Sequence, residues 1–300
     1  MKSSLLLPLA TVASAICHHR TSLYARGQGG LAARSGVDVA TFDYNDVTGP
    51  LNWHSYSNAS ITCATGVQQS PINLNHTSAK LVDGATLGFD VPDMAGGAAF
   101  ENLGSTLEVV AHNGTLTRRG REFKLKQFHF HTPSEHRVDS EYFPMEVHFV
   151  FQSDDQSTNS TEPSLSVLGF LIEVDNSAPS GFLRSVFSRV QEVAAPGSTS
   201  ETEPLSFCEL KTVLQHSEVY QYDGSLTTPP CTEGVAWNVV AEPLRIDDVT
   251  YRAVKKILKF NARYTQNVPG QVNLLEHSRV TLNALSARGA AHVSPPSSSH

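Results

Sequence analysis

Apolar and polar positions alternate in short runs along most of the chain. Thr106-Leu107-Glu108-Val109, Glu122-Phe123-Lys124-Leu125 and the segments 146–151 and 167–174 carry this pattern, which matches the two-residue period of a strand. Turn signals lie between such runs: Asn113-Gly114, Arg119-Gly120 and Asp223-Gly224. The pattern predicts an α+β fold dominated by sheet. Two stretches repeat at helical spacing instead, Leu183 to Val190 and Val249 to Phe260. Asp247 or Asp248 can cap the second helix, and Lys255, Lys256 and Lys259 suit the negative pole of its dipole. The polar stretches Ser153 to Ser164 and Ala195 to Pro204 read as exposed loops, because strand-like sequence resumes beyond each. No internal repeat is visible. Residues 37–286 therefore read as a single domain, with 16–36 as a mobile N-terminal segment and 287–300 as a disordered tail.

The composition is that of an ordinary folded protein, with 300 residues of which 40% are hydrophobic and 17% charged. A formal net charge of -7 and the lack of a basic stripe argue against nucleic acid or anionic membranes as partners. The first 15 residues read as a secretory signal. Lys2 opens them, an apolar run covers Leu5 to Val12, and Ala13-Ser14-Ala15 offers a small-residue cleavage site. Asn58, Asn75, Asn113 and Asn159 each begin an Asn-x-Ser/Thr acceptor sequence for N-glycosylation. No other apolar run approaches the roughly 20 residues that span a bilayer, and the C-terminal residues lack the apolar tail of a lipid-anchor signal. The chain is thus expected to be secreted, either extracellular or held in the cell wall. Its four cysteines, Cys17, Cys63, Cys208 and Cys231, lack the spacing of a metal knuckle and allow three pairings in an oxidising compartment.

The chemistry concentrates in histidines. In Gln127-Phe128-His129-Phe130-His131 the two imidazoles share one strand face and the two phenylalanines the other. His148 lies in a second strand-like run, Glu146-Val147-His148-Phe149-Val150. Phe128, Phe130 and Phe149 mark both runs as core, where three imidazoles are costly to bury unless each has a partner. A metal ion supplies that partner. Three protein ligands leave one corner of a zinc tetrahedron open, the layout of a catalytic site. Gln127, Glu146 and the backbone near Asn261 are candidates to orient the rings through their other nitrogens. Of the 13 histidines, His54, His76, His112, His216 and His277 are read as ordinary surface or core residues.

The segment Gly224 to Trp237, with its Ser-Leu-Thr-Thr-Pro-Pro core, closely resembles the alpha-class carbonic anhydrases, in particular the secreted eukaryotic, fungal type. Ordered matches extend over about 42–285. They include Tyr44, Gly49-Pro50, Trp53, Gln69-Ser70-Pro71-Ile72, Gln127 to His131, Ser134-Glu135-His136, Glu146-Val147-His148, Val167-Leu168-Gly169 and Asn261-Ala262-Arg263. The resemblance implies one domain with a large, twisted, mixed but mostly antiparallel central sheet and short peripheral helices. It implies a zinc lyase (carbonate dehydratase) that hydrates carbon dioxide reversibly to bicarbonate and a proton through zinc-bound hydroxide, with weak esterase activity on the side.

Carried over residue by residue, the resemblance makes His129, His131 and His148 the zinc ligands and Gln127, Glu146 and the Asn261 carbonyl their supports. Thr227 matches the threonine that accepts a hydrogen bond from the hydroxide and donates to Glu135, and Thr228 matches the residue beside the bicarbonate site. Val150, Val167, Leu226, Val235 and Trp237 match the apolar wall for carbon dioxide. Tyr44 matches a residue that orders water, and Arg263 is expected to brace the Thr227 loop. Cys63 and Cys231 match the disulfide of extracellular relatives, leaving Cys17 and Cys208 as a conceivable second pair. Sulfonamides and small anions are the implied inhibitors, and an oligomer is compatible with everything above.

The chain departs from the fastest relatives at Asn102-Leu103-Gly104-Ser105, where they carry a proton-shuttle histidine in place of Ser105. A serine hydroxyl does not titrate near neutrality. Turnover should therefore rise with buffer concentration, and Ser105→His should raise it at low buffer. The alternative to an enzyme is a carbonic-anhydrase-related binding module without catalysis, which the complete set of three histidines, Glu135 and Thr227 disfavours. A zinc peptidase is set aside because no His-Glu-x-x-His motif is present.

Overall fold

The computed structural model describes residues 37–111, 113–154 and 163–291, with side chains as far as 286. The signal segment, residues 16–36 with Cys17, His112, Asn159 and most of the 153–164 stretch lie outside the described residues. Among the described residues fourteen strands form: β1 (Asn73–Leu74), β2 (Lys80–Asp83), β3 (Gly88–Asp90), β4 (Ala99–Asn102), β5 (Leu107–Val110), β6 (Thr115–Arg118), β7 (Arg121–His131), β8 (Arg137–Val138), β9 (Glu141–Tyr142), β10 (Met145–Gln152), β11 (Leu165–Val174), β12 (Thr199–Glu201), β13 (Glu218–Ser225) and β14 (Glu233–Ile246). The α-helices are α1 (Thr62–Thr65), α2 (Gly181–Phe187), α3 (Cys208–Gln215), α4 (Asp248–Leu258) and α5 (Leu274–Ala291).

Eleven strands join one sheet in the order β12-β4-β5-β7-β10-β11-β14-β13-β2, with β6 and β3 branching from β7. All its pairings are antiparallel except β11 with β14. This is the expected mixed, mostly antiparallel sheet. β1, β8 and β9 form a small separate sheet. The central strands β10 and β11 are buried along nearly their whole length, with both faces covered.

Alternation on β7 and β10 divides the two faces. Phe128, Phe130 and Phe149 point into the larger core cluster, where Phe128 stacks on Phe149 with centroids 4.7 Å apart. Helices α2 and α3 close that side through Phe182, Leu183, Leu210 and Leu214. Val150, Val167, Val235 and Trp237 belong to the cluster on the opposite face. Helix α4 begins as expected, with the Asp247 carboxylate accepting from Thr250 N at 2.9 Å. Its last turn holds Lys255 and Lys256, and Lys259 caps it at φ 58, ψ −97.

Three features differ from the sequence reading. The helix expected over 183–190 is shorter and starts earlier, with a separate 3-10 turn at Val190–Val193. The polar stretch 195–204 is not wholly loop, because its Thr199–Glu201 pairs with β4 as an edge strand. The tail expected to be disordered from 287 begins as helix, since α5 runs through Ala291. As the resemblance implied, Cys63 and Cys231 are disulfide-bonded. Cys208 is exposed and has no disulfide partner among the described residues, and its suggested partner Cys17 lies outside them. Asn58 and Asn113 are exposed and Asn75 is half-buried.

Candidate metal centre

Antiparallel pairing of β7 with β10 sets His129 opposite His148 and His131 opposite Glu146. Side chains of paired residues leave on the same face, so the register alone brings three imidazoles together. Each ring is then oriented through one nitrogen. His129 Nδ1 lies 2.9 Å from Gln127 Oε1, His131 Nδ1 lies 2.8 Å from the Asn261 carbonyl, and His148 Nε2 lies 2.9 Å from Glu146 Oε1. Carbonyl and carboxylate oxygens only accept, so these nitrogens carry the protons. The lone pairs are left on His129 Nε2, His131 Nε2 and His148 Nδ1. One nitrogen from each ring lies within 4.8 Å of the others. His131 Nε2 is buried and has no hydrogen-bond partner, a cost that a metal ion removes. Burial pushes all three imidazoles below their usual pKa, His131 to about 4 and His129 well down with help from repulsion by His131 and His148. Neutral rings with convergent lone pairs fit a divalent ion of borderline softness.

A second group, His136, Glu146 and His148, also lies within 4.8 Å, but its donors are engaged. His136 Nδ1 is 2.7 Å from Glu146 Oε1 and His136 Nε2 is 2.7 Å from the Tyr222 hydroxyl. Glu146 Oε2 accepts from the backbone N–H groups of Glu135 and His136 at 2.8 and 2.9 Å. Burial opposes charge on Glu146, yet the pull of His136 and His148 and their hydrogen bonds holds its pKa well below the usual carboxylate range. This cluster is a hydrogen-bond node that props the metal centre.

Glu135 sits beside the rings. Its Oε1 accepts from Arg263 N at 2.8 Å, and its Oε2 lies 3.5 Å from His131 Nε2, buried and without a well-formed hydrogen bond. Burial raises its pKa to about 7 against the opposing effects of His148, the Arg263 N–H and Thr227. Reciprocal bonds clamp the loop that carries Thr227. Ser70 N donates to Ser225 Oγ at 2.9 Å, Ser225 N donates to Ser70 Oγ at 3.0 Å, and Trp237 Nε1 donates to the Ser225 carbonyl at 2.9 Å. The disulfide and the Gln69 Nε2 bond to the Cys231 carbonyl, 3.0 Å, hold the far side of the loop.

Arg263 reaches this loop only indirectly. Its guanidinium donates to the carbonyls of Ser70 and Cys63 and to Gln69 Oε1, at 2.7, 3.1 and 2.9 Å. The Tyr222 hydroxyl is 2.8 Å from Ser70 Oγ, which completes a buried chain from His148 through Glu146 and His136 to the loop. The sequence reading gave no role to His136, Tyr222 or Ser70. The adjacency of His136 to Glu135, and the places of Ser70 and His136 in the matched motifs, were the signals available.

A narrow cavity of about 50 Å³ opens over the three rings, with space for a few water-sized molecules. Tyr44, Ser105, Val150, Val167, Leu226, Thr227, Thr228 and Trp237 line it. Val235 does not. It lies buried behind the wall, packed with Val150, Val167 and Trp237. Phe42, Thr106 and Glu108 also line the cavity and were not foreseen.

The fold and this site together define a sheet protein with a preformed three-histidine centre in a small, mostly apolar cleft. The family model for eukaryotic-type carbonic anhydrases matches residues 48–284. A solved fungal alpha carbonic anhydrase from Aspergillus oryzae is 43% identical with a TM-score of 0.74, over 79% of this chain and 98% of that one. The alpha carbonic anhydrase of Thermovibrio ammonificans, solved in complex with the inhibitor sulfanilamide, is 30% identical with a TM-score of 0.67, over 77% and 97%. A carbonic anhydrase of Neisseria gonorrhoeae is 34% identical over 68% of this chain and 75% of its own length. The chain belongs to the eukaryotic-type (alpha) carbonic anhydrase family, lyases that hydrate carbon dioxide and bind carbon dioxide, bicarbonate and water. Members of this family are zinc enzymes, and the His129, His131 and His148 cluster could hold such an ion. Among the described residues no helix is long and apolar enough to cross a membrane.

Proposed function

We propose that this chain is a secreted zinc enzyme that interconverts carbon dioxide and bicarbonate, with His129, His131 and His148 as the metal ligands. The convergence of three ring nitrogens, each with its opposite nitrogen engaged, carries the reading. Zinc in such a site lowers the pKa of water to about 7 and so supplies a nucleophile at neutral pH. Gln127, Glu146 and the Asn261 carbonyl fix the tautomers that point lone pairs inward. Thr227 Oγ1 accepts a hydrogen bond from the nucleophile and donates its own proton to Glu135, which aims a lone pair at the substrate carbon. Thr228 takes the bicarbonate side of the cleft, and Tyr44 orders the water. Val150, Val167, Leu226 and Trp237 hold carbon dioxide, which has no net dipole and needs no polar contact. Val235 packs behind them. Activated esters enter the same cleft as slow side substrates, and primary sulfonamides and small anions compete for it.

The disulfide, the apolar leader and the acceptor residues Asn58, Asn75 and Asn113 support passage through an oxidising secretory compartment. The deciding experiment combines metal analysis of the purified, oxidised protein with stopped-flow hydration of carbon dioxide. About one zinc per chain and hydration that is lost on chelation and restored by zinc are expected. A protein that stays metal-free in excess zinc refutes the reading.

A further inference from the structure

A second cavity, of about 600 Å³, adjoins the first and shares Tyr44 and Ser105 with it. Lys256 and Lys259 line it, from the end of α4 and the residue that caps it. Among the described residues neither ammonium has an ion-pair partner. The acidic residue in the wall is Asp43, whose carboxylate oxygens accept from Thr48 Oγ1 and Asn45 N. Lysine at position 259 is itself informative. At φ 58, ψ −97 a glycine would be free of strain, yet a long cationic side chain is held there.

Each hydration event converts carbon dioxide and water to bicarbonate and one proton, and that proton must leave. The reaction cleft has no lysine or arginine among its lining residues. The neighbouring cavity is an order of magnitude larger and has two cations and a hydroxyl in its wall. We propose that this cavity, bounded by Ser105, Tyr44, Lys256 and Lys259, docks a small buffer oxyanion that takes the proton released by the reaction. The proposal rests on the hydration reading above. With hydrogen phosphate as occupant, the Ser105 hydroxyl accepts a proton from cleft water while donating its own. The dianion leaves as dihydrogen phosphate, and no charge or atom is left over.

Two arms test this on the full chain. In the first, inorganic phosphate is titrated into metal-free protein and followed by 31P line broadening. Saturable binding is expected, weakened about tenfold or more in Lys256→Ala/Lys259→Ala. Lys259→Ala keeps a β-carbon at the strained position, so its backbone demands are unchanged. In the second arm, hydration by the zinc-loaded enzyme is measured against phosphate and, separately, against Tris, whose acceptor form is uncharged. The double variant is expected to raise the half-saturating phosphate concentration about tenfold and leave the Tris dependence unchanged. Phosphate binding that the double variant retains, or an equal loss with both buffers, overturns the dock. Absence of hydration in every buffer refutes the zinc reading instead, and phosphate binding to metal-free protein is read independently of it.

Discussion

Replacing Glu146 by glutamine tests whether one buried carboxylate organises the metal centre. Glu146 accepts four hydrogen bonds, two from imidazoles and two from the backbone of Glu135 and His136, and is 0% exposed. Glutamine keeps the shape but turns one terminal atom into a donor. Whichever way the amide lies, that donor faces two others. A buried donor left without an acceptor costs about 1–3 kcal/mol, and breaking a buried charge cluster costs about 3–5 kcal/mol. Glu146→Gln should therefore destabilise metal-free protein by about 3–5 kcal/mol, roughly 10 °C in Tm for a domain of this size. His148 and the Glu135 backbone also lose their anchor, so zinc affinity should fall about 10- to 100-fold. Urea unfolding of the metal-free protein and zinc competition against a chromophoric chelator measure the two effects separately. A loss under about 1 kcal/mol with unchanged zinc affinity would refute the reasoning, because the four bonds would then be dispensable.

The Cys63–Cys231 bridge closes a loop of 168 residues, for which the chain-entropy model gives at most about 5 kcal/mol. Cys63→Ser/Cys231→Ser should lose at least about 2 kcal/mol in urea unfolding, and a smaller loss would assign the bridge a purely local role. Lys259→Gly should stabilise the protein by roughly 0.5–1 kcal/mol by relieving the left-handed backbone. Lys259→Ala should not, and thermal unfolding of the pair checks the difference. Ser105→His should raise hydration at low buffer and converge with wild type at high buffer; parallel curves would place proton export elsewhere.

The three ring nitrogens were legible in the sequence because the strand period is local. His129 and His131 share a face wherever the strand goes, and Phe128 and Phe130 declare the other face buried. The partners that orient the rings were legible only in part. Gln127 and Glu146 lie two residues from the rings they hold, whereas Asn261 is 130 positions from His131 and came from family likeness. Ser70, His136 and Tyr222 meet only through tertiary folding, so nothing local announced their chain of bonds. Strand β12 was hidden because Thr199-Ser200-Glu201 is polar and mostly exposed, held at an edge by backbone pairing alone. Helix α5 was missed because its apolar residues do not gather on one face, and Val280, Leu282 and Leu285 stand in solvent.

The segment that closes the centre, residues 261–263, lies beyond both ligand strands and helix α4 in the chain. The Asn261 carbonyl fixes His131, the Asn261 side chain accepts from Thr132 N at 2.7 Å, and Arg263 N fixes Glu135. A nascent chain that has cleared the ribosome only as far as α4 already owns both ligand strands, yet the middle imidazole can still spin and Glu135 has lost a donor. Metal captured at that stage would be held loosely and by the wrong tautomers. The cradle becomes selective only once Asn261 and Arg263 have docked, which ties loading of an ion to that folding step.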